Sequence, residues 1–63
     1  MLLFASSNHA AHAVVRALKE ADIQAGVGRD RDGQVPVSVT VSDDRDVEVL
    51  GIAKAVDPAI QVG

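Results

Sequence analysis

Two histidines near the start of the chain are the residues whose spacing comes closest to a chemical site. His9 and His12 stand three residues apart, so a helix would place both imidazoles on one side, where they could hold a single metal ion. Zinc sites use three or four protein ligands, and no third ligand accompanies this pair. The sequence therefore predicts no metal site and two histidines that face solvent.

The hydroxyl groups nearest to His9 along the chain belong to Ser6 and Ser7. A serine beside a histidine base is the smallest arrangement that can act as an activated nucleophile. Serines directly before a helical pattern also cap the helix by accepting a hydrogen bond from its first turn, and this role accounts for both. The chain has no cysteine, which excludes thiol catalysis. We predict a protein that is not an enzyme, has no catalytic residues and uses no cofactor.

Two glycines and a charged loop allow an alternative, ligand-binding interpretation. The run Asp30-Arg31-Asp32-Gly33 imitates the middle of a calcium loop, but the twelfth position would be Val39, where an acidic ligand is required. A dinucleotide phosphate site needs glycines before a helix, whereas Gly26 and Gly28 precede a predicted hairpin. If the chain senses a small molecule at a subunit interface, we expect its contacts at Gly26, Gly28, Arg29, Asp30, Arg31 and Asp32.

Charge and hydropathy limit the partners that the chain can have. Its net charge is -3 and its pI is near 5.0, whereas binding to a phosphate backbone depends on clustered Lys and Arg. Its apolar runs are much shorter than the roughly 20 residues that cross a bilayer. We therefore expect a cytoplasmic protein with no nucleic-acid partner and no membrane partner. Few lysines beside many Ala, Val, Asp and Arg residues indicate a GC-rich bacterial or phage genome.

The chain is short enough that its stability needs support. Its 63 residues suffice for one domain, residues 1–63, and a domain of this size buries only about 60% of the surface that its unfolded chain exposes. Small domains gain stability from disulfides, metals or association, and a disulfide is excluded here. We therefore expect a homo-oligomer, a dimer or higher.

Four stretches have the patterns of strands. Val35–Val41 alternates valine with Pro, Ser and Thr, which is typical of a strand with one buried face. The apolar run Met1–Ala5 predicts a central strand that is buried on both faces. Ile23–Gly28 alternates in the same way as Val35–Val41, and the charged loop between them predicts a hairpin. Ile60–Val62 predicts a short last strand.

Two stretches have the patterns of helices. The first, Asn8–Ala21, can be capped by Ser6, Ser7 or Asn8. Its apolar side is made by Ala10, Ala11, Val14, Ala17, Leu18 and Ala21. The second is predicted to be capped by Ser42 or Asp43. Its apolar side consists of Val49, Ile52, Ala53 and Val56, and Asp57-Pro58 ends it because a residue before proline avoids the helical region.

The order βαββαβ favours an α+β fold of the ferredoxin-like split β-α-β type. Right-handed crossovers and hairpin pairing predict a four-stranded antiparallel sheet of order 4-1-3-2 with both helices on one face. The other face stays bare, and strand one sends to it either Leu2 and Phe4 or Leu3 and Ala5. We expect a second subunit or a protein partner to contact this face, or the edge strands two or four. The predicted contact residues are Leu2, Phe4, Gln24, Ser38, Thr40 and Gln61.

Three stretches carry a resemblance to known regulatory proteins. F-A-S-S-N-H-A-A, L-K-E-A-D-I-Q-A-G-V and V-S-V-T-V-S-D-D are similar to the strand–helix junctions of small ferredoxin-like modules, namely ACT-like and PII-like domains and bacterial signal-transducing proteins. The long nucleotide-contacting loop of PII-like proteins has no counterpart here. The resemblance implies regulation by association or by a small ligand.

Overall fold

A computed structural model describes residues 1–63, in which two helices cover one side of a four-stranded antiparallel sheet. The elements are β1 (Leu2–Ala5), α1 (Asn8–Glu20), β2 (Gln24–Val27), β3 (Val35–Thr40), a 3-10 turn (Asp43–Arg45), α2 (Asp46–Val56) and β4 (Gln61–Val62). The strand order is β2-β3-β1-β4, so the predicted order 4-1-3-2 is confirmed, and it fits a ferredoxin-like layout. Neither helix is long and apolar enough to span a bilayer.

The valines of β3 lie at the centre of the hydrophobic core. Val35, Val37 and Val39 are at most 4% exposed, and they pack in one cluster with Val14 and Leu18 of α1, which are fully buried. The alternation of the strand aims every second side chain at the helices. The predicted anchoring role of this strand is therefore confirmed.

The prediction that β1 is buried on both faces is wrong. Leu3 and Ala5 are fully buried beneath the helices, whereas Leu2 is 41% exposed and Phe4 is only half-buried. The reason is that both helices lie on the same side of the sheet, so even the central strand has one face without a covering layer. Of the two alternatives for strand one, Leu2 and Phe4 are the pair that points away from the helices.

Helix α1 begins as its sequence predicts. Ser7 is the capping residue, and its side-chain oxygen accepts a hydrogen bond from the backbone N–H of Ala10 at 3.1 Å. Ala11, Val14 and Leu18 form its buried side, at the helical spacing that the sequence predicts. The pattern thus identified the buried side and the first residue of this helix, left its cap as one of three residues and placed its end one residue late, at Ala21 instead of Glu20.

The start of α2 differs from its prediction. Ser42 makes no side-chain capping bond, and Asp43–Arg45 form a 3-10 turn before the α-helix begins at Asp46. This turn brings the Arg45 guanidinium to the end of α1, where its Nη2 donates to the carbonyl of Ala21 at 3.2 Å. Val56, predicted to be in the core, is 37% exposed because it is the last helical residue and the chain turns after it.

The hairpin between β2 and β3 closes with the predicted Asp-Gly turn. Arg31 and Gln34 exchange two backbone hydrogen bonds of 2.7 and 2.9 Å. Between them, Asp32 and Gly33 have φ angles of 52° and 79°. Two successive positive φ values define a type I′ turn, whose twist matches that of paired strands.

Replacing Gly33 with alanine should lower the free energy of unfolding by about 1 kcal/mol, because a side chain disfavours positive φ. The same substitution at Gly51 is a matched control, since that residue lies within α2 with open space around it. Gly51→Ala should raise stability by up to about 1 kcal/mol. Urea denaturation of both variants measures the two effects, and equal shifts in the same direction would contradict the turn assignment.

Pro36 lies second in β3, near the start of the strand as predicted. Its carbonyl accepts a hydrogen bond from the N–H of Gly28 at 2.8 Å, so its own nitrogen, which has no hydrogen, faces the end of β2. A Cβ atom at Gly28 would lie 2.9 Å from Cγ of Pro36, which is too close for any side chain. The hairpin therefore needs glycine opposite its proline.

Candidate functional site

The side of the sheet that faces away from the helices is the main exposed feature of the fold. Strand alternation and register place ten residues on it, and we call this surface the open face. Across its middle, Gly26 pairs with Ser38 and Ser38 pairs with Leu2, while Phe4 pairs with Gln61. The full set is Leu2, Phe4, Gln24, Gly26, Gly28, Pro36, Ser38, Thr40, Gln61 and Gly63.

All six residues predicted to form a contact surface belong to the open face. Gln24, Ser38, Thr40 and Gln61 are exposed. Of the other four members, Gly26 and Gly28 were predicted only for the ligand-binding alternative, and Pro36 and Gly63 were missed. Strand alternation alone would have found Pro36, since it lies on the same side of β3 as Ser38.

The open face has no charged side chain. None of its ten residues is Asp, Glu, Lys or Arg, although the chain contains nine acidic and six basic residues. An ordinary solvent-facing surface mixes charges of both signs, whereas the core of a protein–protein interface is depleted of them. The charge distribution of the chain therefore singles out this side of the sheet.

The middle of the open face is apolar and its margins are flat. Leu2, Phe4 and Pro36 are all partly exposed there. A Cβ atom at Gly63 would collide with the ring of Phe4, which means that the ring extends over the terminal glycine. The glycines at the margins thus leave room for the rings and let another surface approach closely.

A shallow groove of about 540 Å³ runs along β2 at one margin of the open face. It is lined by Lys19, Asp22, Ile23, Gln24, Ala25, Gly26, Ser38 and Thr40. Of the residues that the ligand-binding alternative would use, only Gly26 lines this groove. Gly28, Arg29, Asp30, Arg31 and Asp32 lie outside it, at the hairpin end of the sheet.

The two histidines line a second groove, of about 340 Å³, on the far side of α1 from the sheet. His9 and His12 are exposed there, beside Arg16, Glu20 and the end of α2 at Val56. No group of three or more potential metal-ligating side chains occurs in residues 1–63.

The serine hydroxyls near His9 take part in other contacts. Ser7 caps α1, and the hydroxyl of Ser6 donates to the carboxylate of Asp57 at 3.0 Å. Neither hydroxyl donates a hydrogen bond to His9, as a nucleophile would to its base.

Asp57 is the one buried charged residue, and sequence analysis assigned it only the role of ending α2. It is 5% exposed. Its carboxylate accepts hydrogen bonds from the Ser6 N–H at 2.9 Å, from the Ser6 hydroxyl and from the Ala59 N–H at 3.1 Å. Burial raises the pKa of the Asp57 carboxyl, but the bonds from Ser6 and Ala59 outweigh it and hold the pKa below its ordinary value of 3.8. The end of β1 is thereby tied to the end of α2.

This lowered pKa predicts a loss of stability in acid. Protonation favours the unfolded chain, where the pKa is higher, so the contribution of Asp57 is complete well above pH ~4 and disappears as the pH falls through ~4 towards the folded-state pKa. Ser6→Ala, which removes the hydroxyl bond but keeps the N–H bond, should make this decline shallower. Urea titrations from pH 7 to pH 2.5 measure it, and parallel curves for the two proteins would contradict the assignment.

Two features thus remain as candidates. The contact between Ser6 and Asp57 stabilises the fold, whereas the open face is exposed, free of charge and apolar at its centre. The open face is therefore the better candidate for a functional surface. Comparisons of the chain with protein-family models, with curated proteins and with solved structures found no match.

Proposed function

We propose that this chain is a small cytoplasmic interaction protein, not an enzyme, that self-associates through its open face and regulates a protein partner as a bacterial or phage accessory factor. The observation that carries the proposal is the absence of any charged side chain among the ten residues of that face. A surface that only contacts water gains nothing from lacking charge, whereas a surface that is covered avoids the cost of burying it.

A second copy of the chain is the occupant that the charges favour. Each copy carries a net charge of -3, so contact through any acidic surface would bring like charges together. The open face is the side on which two copies can meet without such repulsion. Its centre, at Leu2 and Ser38, can lie near a two-fold axis, where the same patch of both copies meets itself.

The area of the open face limits the affinity with which two copies can associate through it. Strands about 4.8 Å apart that rise about 3.4 Å per residue give the four strands roughly 300 Å² of sheet plane. Stable interfaces bury about 800 Å² on each partner. Contact through one open face alone is therefore a weak association, with a dissociation constant in the micromolar range or above.

A ligand-sensing module is the second candidate, and the groove of about 540 Å³ beside Gly26 favours it. Lys19 and Asp22 at its rim could bind a polar small molecule. The groove adjoins the open face, so a ligand there would touch a second copy as well.

Thermal unfolding distinguishes the two candidates. If the folded chain self-associates, its midpoint of unfolding rises with protein concentration, because association stabilises the folded state by mass action. A sensor would in addition show a midpoint that rises with a particular metabolite at fixed protein concentration. A midpoint that responds to neither would contradict both.

A further inference from the structure

Strand β2 has an unpaired edge, and its hydrogen bonds to β3 show which of its backbone groups are free. In antiparallel sheets, opposed residues alternate between pairs that exchange hydrogen bonds and pairs that do not. Gly28 donates to Pro36 across the β2–β3 ladder at 2.8 Å, and Gly26 opposes Ser38 two positions back. The residues that bond to β3 are thus the even-numbered ones. The N–H and C=O groups of Ala25 and Val27 point outwards at the free edge.

This edge lacks the features that protect exposed strands from pairing. Gln24–Val27 contains no charged residue, proline or bulge, although charged side chains and proline are the usual means of blocking an edge. The opposite edge, β4, is only two residues long and offers the outward groups of Val62 alone. Of the two edges of the sheet, β2 is the one that can extend it.

We infer that β2 pairs antiparallel with β2 of a second copy about a two-fold axis at Gly26. In this register Ala25 lies opposite Val27 of the second copy, and each such pair exchanges both of its backbone hydrogen bonds. The two Gly26 residues then oppose each other with Cα atoms about 4.5 Å apart. Neither Gly26 residue has a side chain, so no side chain obstructs this closest point of approach.

The pairing rests on the proposed function, since it takes a second copy as the partner. It also explains how a face too small for a stable interface by itself could form one. Joined at β2, the two sheets become continuous and their open faces lie side by side. The shared surface has about twice the area of one face, which brings it close to the roughly 800 Å² per partner of a stable interface. Two such pairs can then meet face to face, which gives an assembly of four copies.

Amide hydrogen exchange tests the edge contact in the unmodified protein. At concentrations where the chain is assembled, the N–H groups of Ala25 and Val27 should exchange slowly, and their protection should fall on dilution. The N–H of Asp30 in the exposed hairpin loop serves as the rapidly exchanging reference. Exchange of Ala25 and Val27 as fast as that of Asp30 in the assembled protein would overturn the inference. So would protection that arises only when a different protein is added.

Ala25→Pro provides the matching variant. Proline removes an N–H that points out of the sheet, so it blocks the edge and leaves every bond from β2 to β3 in place. Sedimentation should show four copies in the wild type and two copies, joined by their open faces, in Ala25→Pro. An unchanged mass in a folded Ala25→Pro variant would overturn the edge pairing and leave the open-face proposal intact. A monomeric wild type would instead remove the proposed function itself.

Discussion

Replacing Asp57 with alanine should cost about 3 kcal/mol or more of the free energy of unfolding. The carboxylate accepts hydrogen bonds from three donors: the N–H of Ser6, the hydroxyl of Ser6 and the N–H of Ala59. A hydrogen bond to a charged acceptor contributes roughly 1.5–3 kcal/mol, and the substitution removes all of the bonds that Asp57 accepts. A chain of this length has a total stability of about 3–9 kcal/mol, so the variant should lose a third or more of it.

The control for this prediction is Asp44→Ala. Asp44 is exposed in the 3-10 turn before α2 and accepts no side-chain hydrogen bond, so the substitution removes the same charge and should change stability by no more than about 0.5 kcal/mol. Urea denaturation followed by circular dichroism compares the two. If Asp57→Ala unfolded at the same urea concentration as Asp44→Ala, the contact between Ser6 and Asp57 would not stabilise the fold.

Replacing Ser38 with arginine should separate the open faces of two copies while the domain stays folded, so that the largest remaining assembly is the pair joined at β2. Ser38 is exposed at the centre of the open face, opposite Leu2 on one side and Gly26 on the other. Covering an unpaired guanidinium there costs several kcal/mol, and a loss of roughly 3 kcal/mol raises the dissociation constant about 100-fold. Ser38 is a better position than Thr40, which lies at the end of β3 beyond the last residue paired with β1.

Ala55→Arg adds the same charge at a different surface and serves as the control. Ala55 is exposed on α2, and arginine is a good helix former, so this variant should keep both the fold and the assembly. Sedimentation of the two variants, with circular dichroism to verify folding, gives the comparison. Equal masses for both variants would place the interface elsewhere on the molecule.

Most of the fold followed from local patterns in the sequence. The alternation at Val35–Val41, the helical spacing of Val14 and Leu18 and the Asp-Gly turn each use interactions between residues close along the chain. These local choices, together with the handedness of crossovers, leave one compact arrangement of six elements. The order of the strands could therefore be predicted before any coordinates were considered.

The predictions for Asp57 and for the start of α2 failed because both depend on contacts between residues far apart in the sequence. Asp57 and Ser6 are 51 positions apart, and no periodic pattern in the sequence connects them, so Asp57 was interpreted only as a helix end. The delayed start of α2 has a similar origin, since Arg45 bonds to the carbonyl of Ala21 at the end of α1. An Asp-Pro pair after a helix is also an Asx-turn signal, which is the one clue that pointed to the bond between Asp57 and Ala59.

The sequence predicted many of the residues of the open face but not the shape of the surface that they form. Alternation along β3 assigned Ser38 and Thr40 to one side, and it left Leu2 and Phe4 as one of two alternatives for β1; the structure places all four on the open face. The contact of the Phe4 ring with Gly63 and the groove along β2 depend on the register between strands. Register is a property of the folded sheet, so the flat margins could be identified only from the structure, whereas the edge position of strand two was already expected from the sequence.

Sedimentation equilibrium of the unmodified chain, from low micromolar to near-millimolar concentration, tests most directly whether the open face is covered by a second copy. The account predicts an average mass that rises with concentration from the 6.5 kDa of one chain towards the mass of two and then four copies. A mass of one chain at every concentration would contradict it.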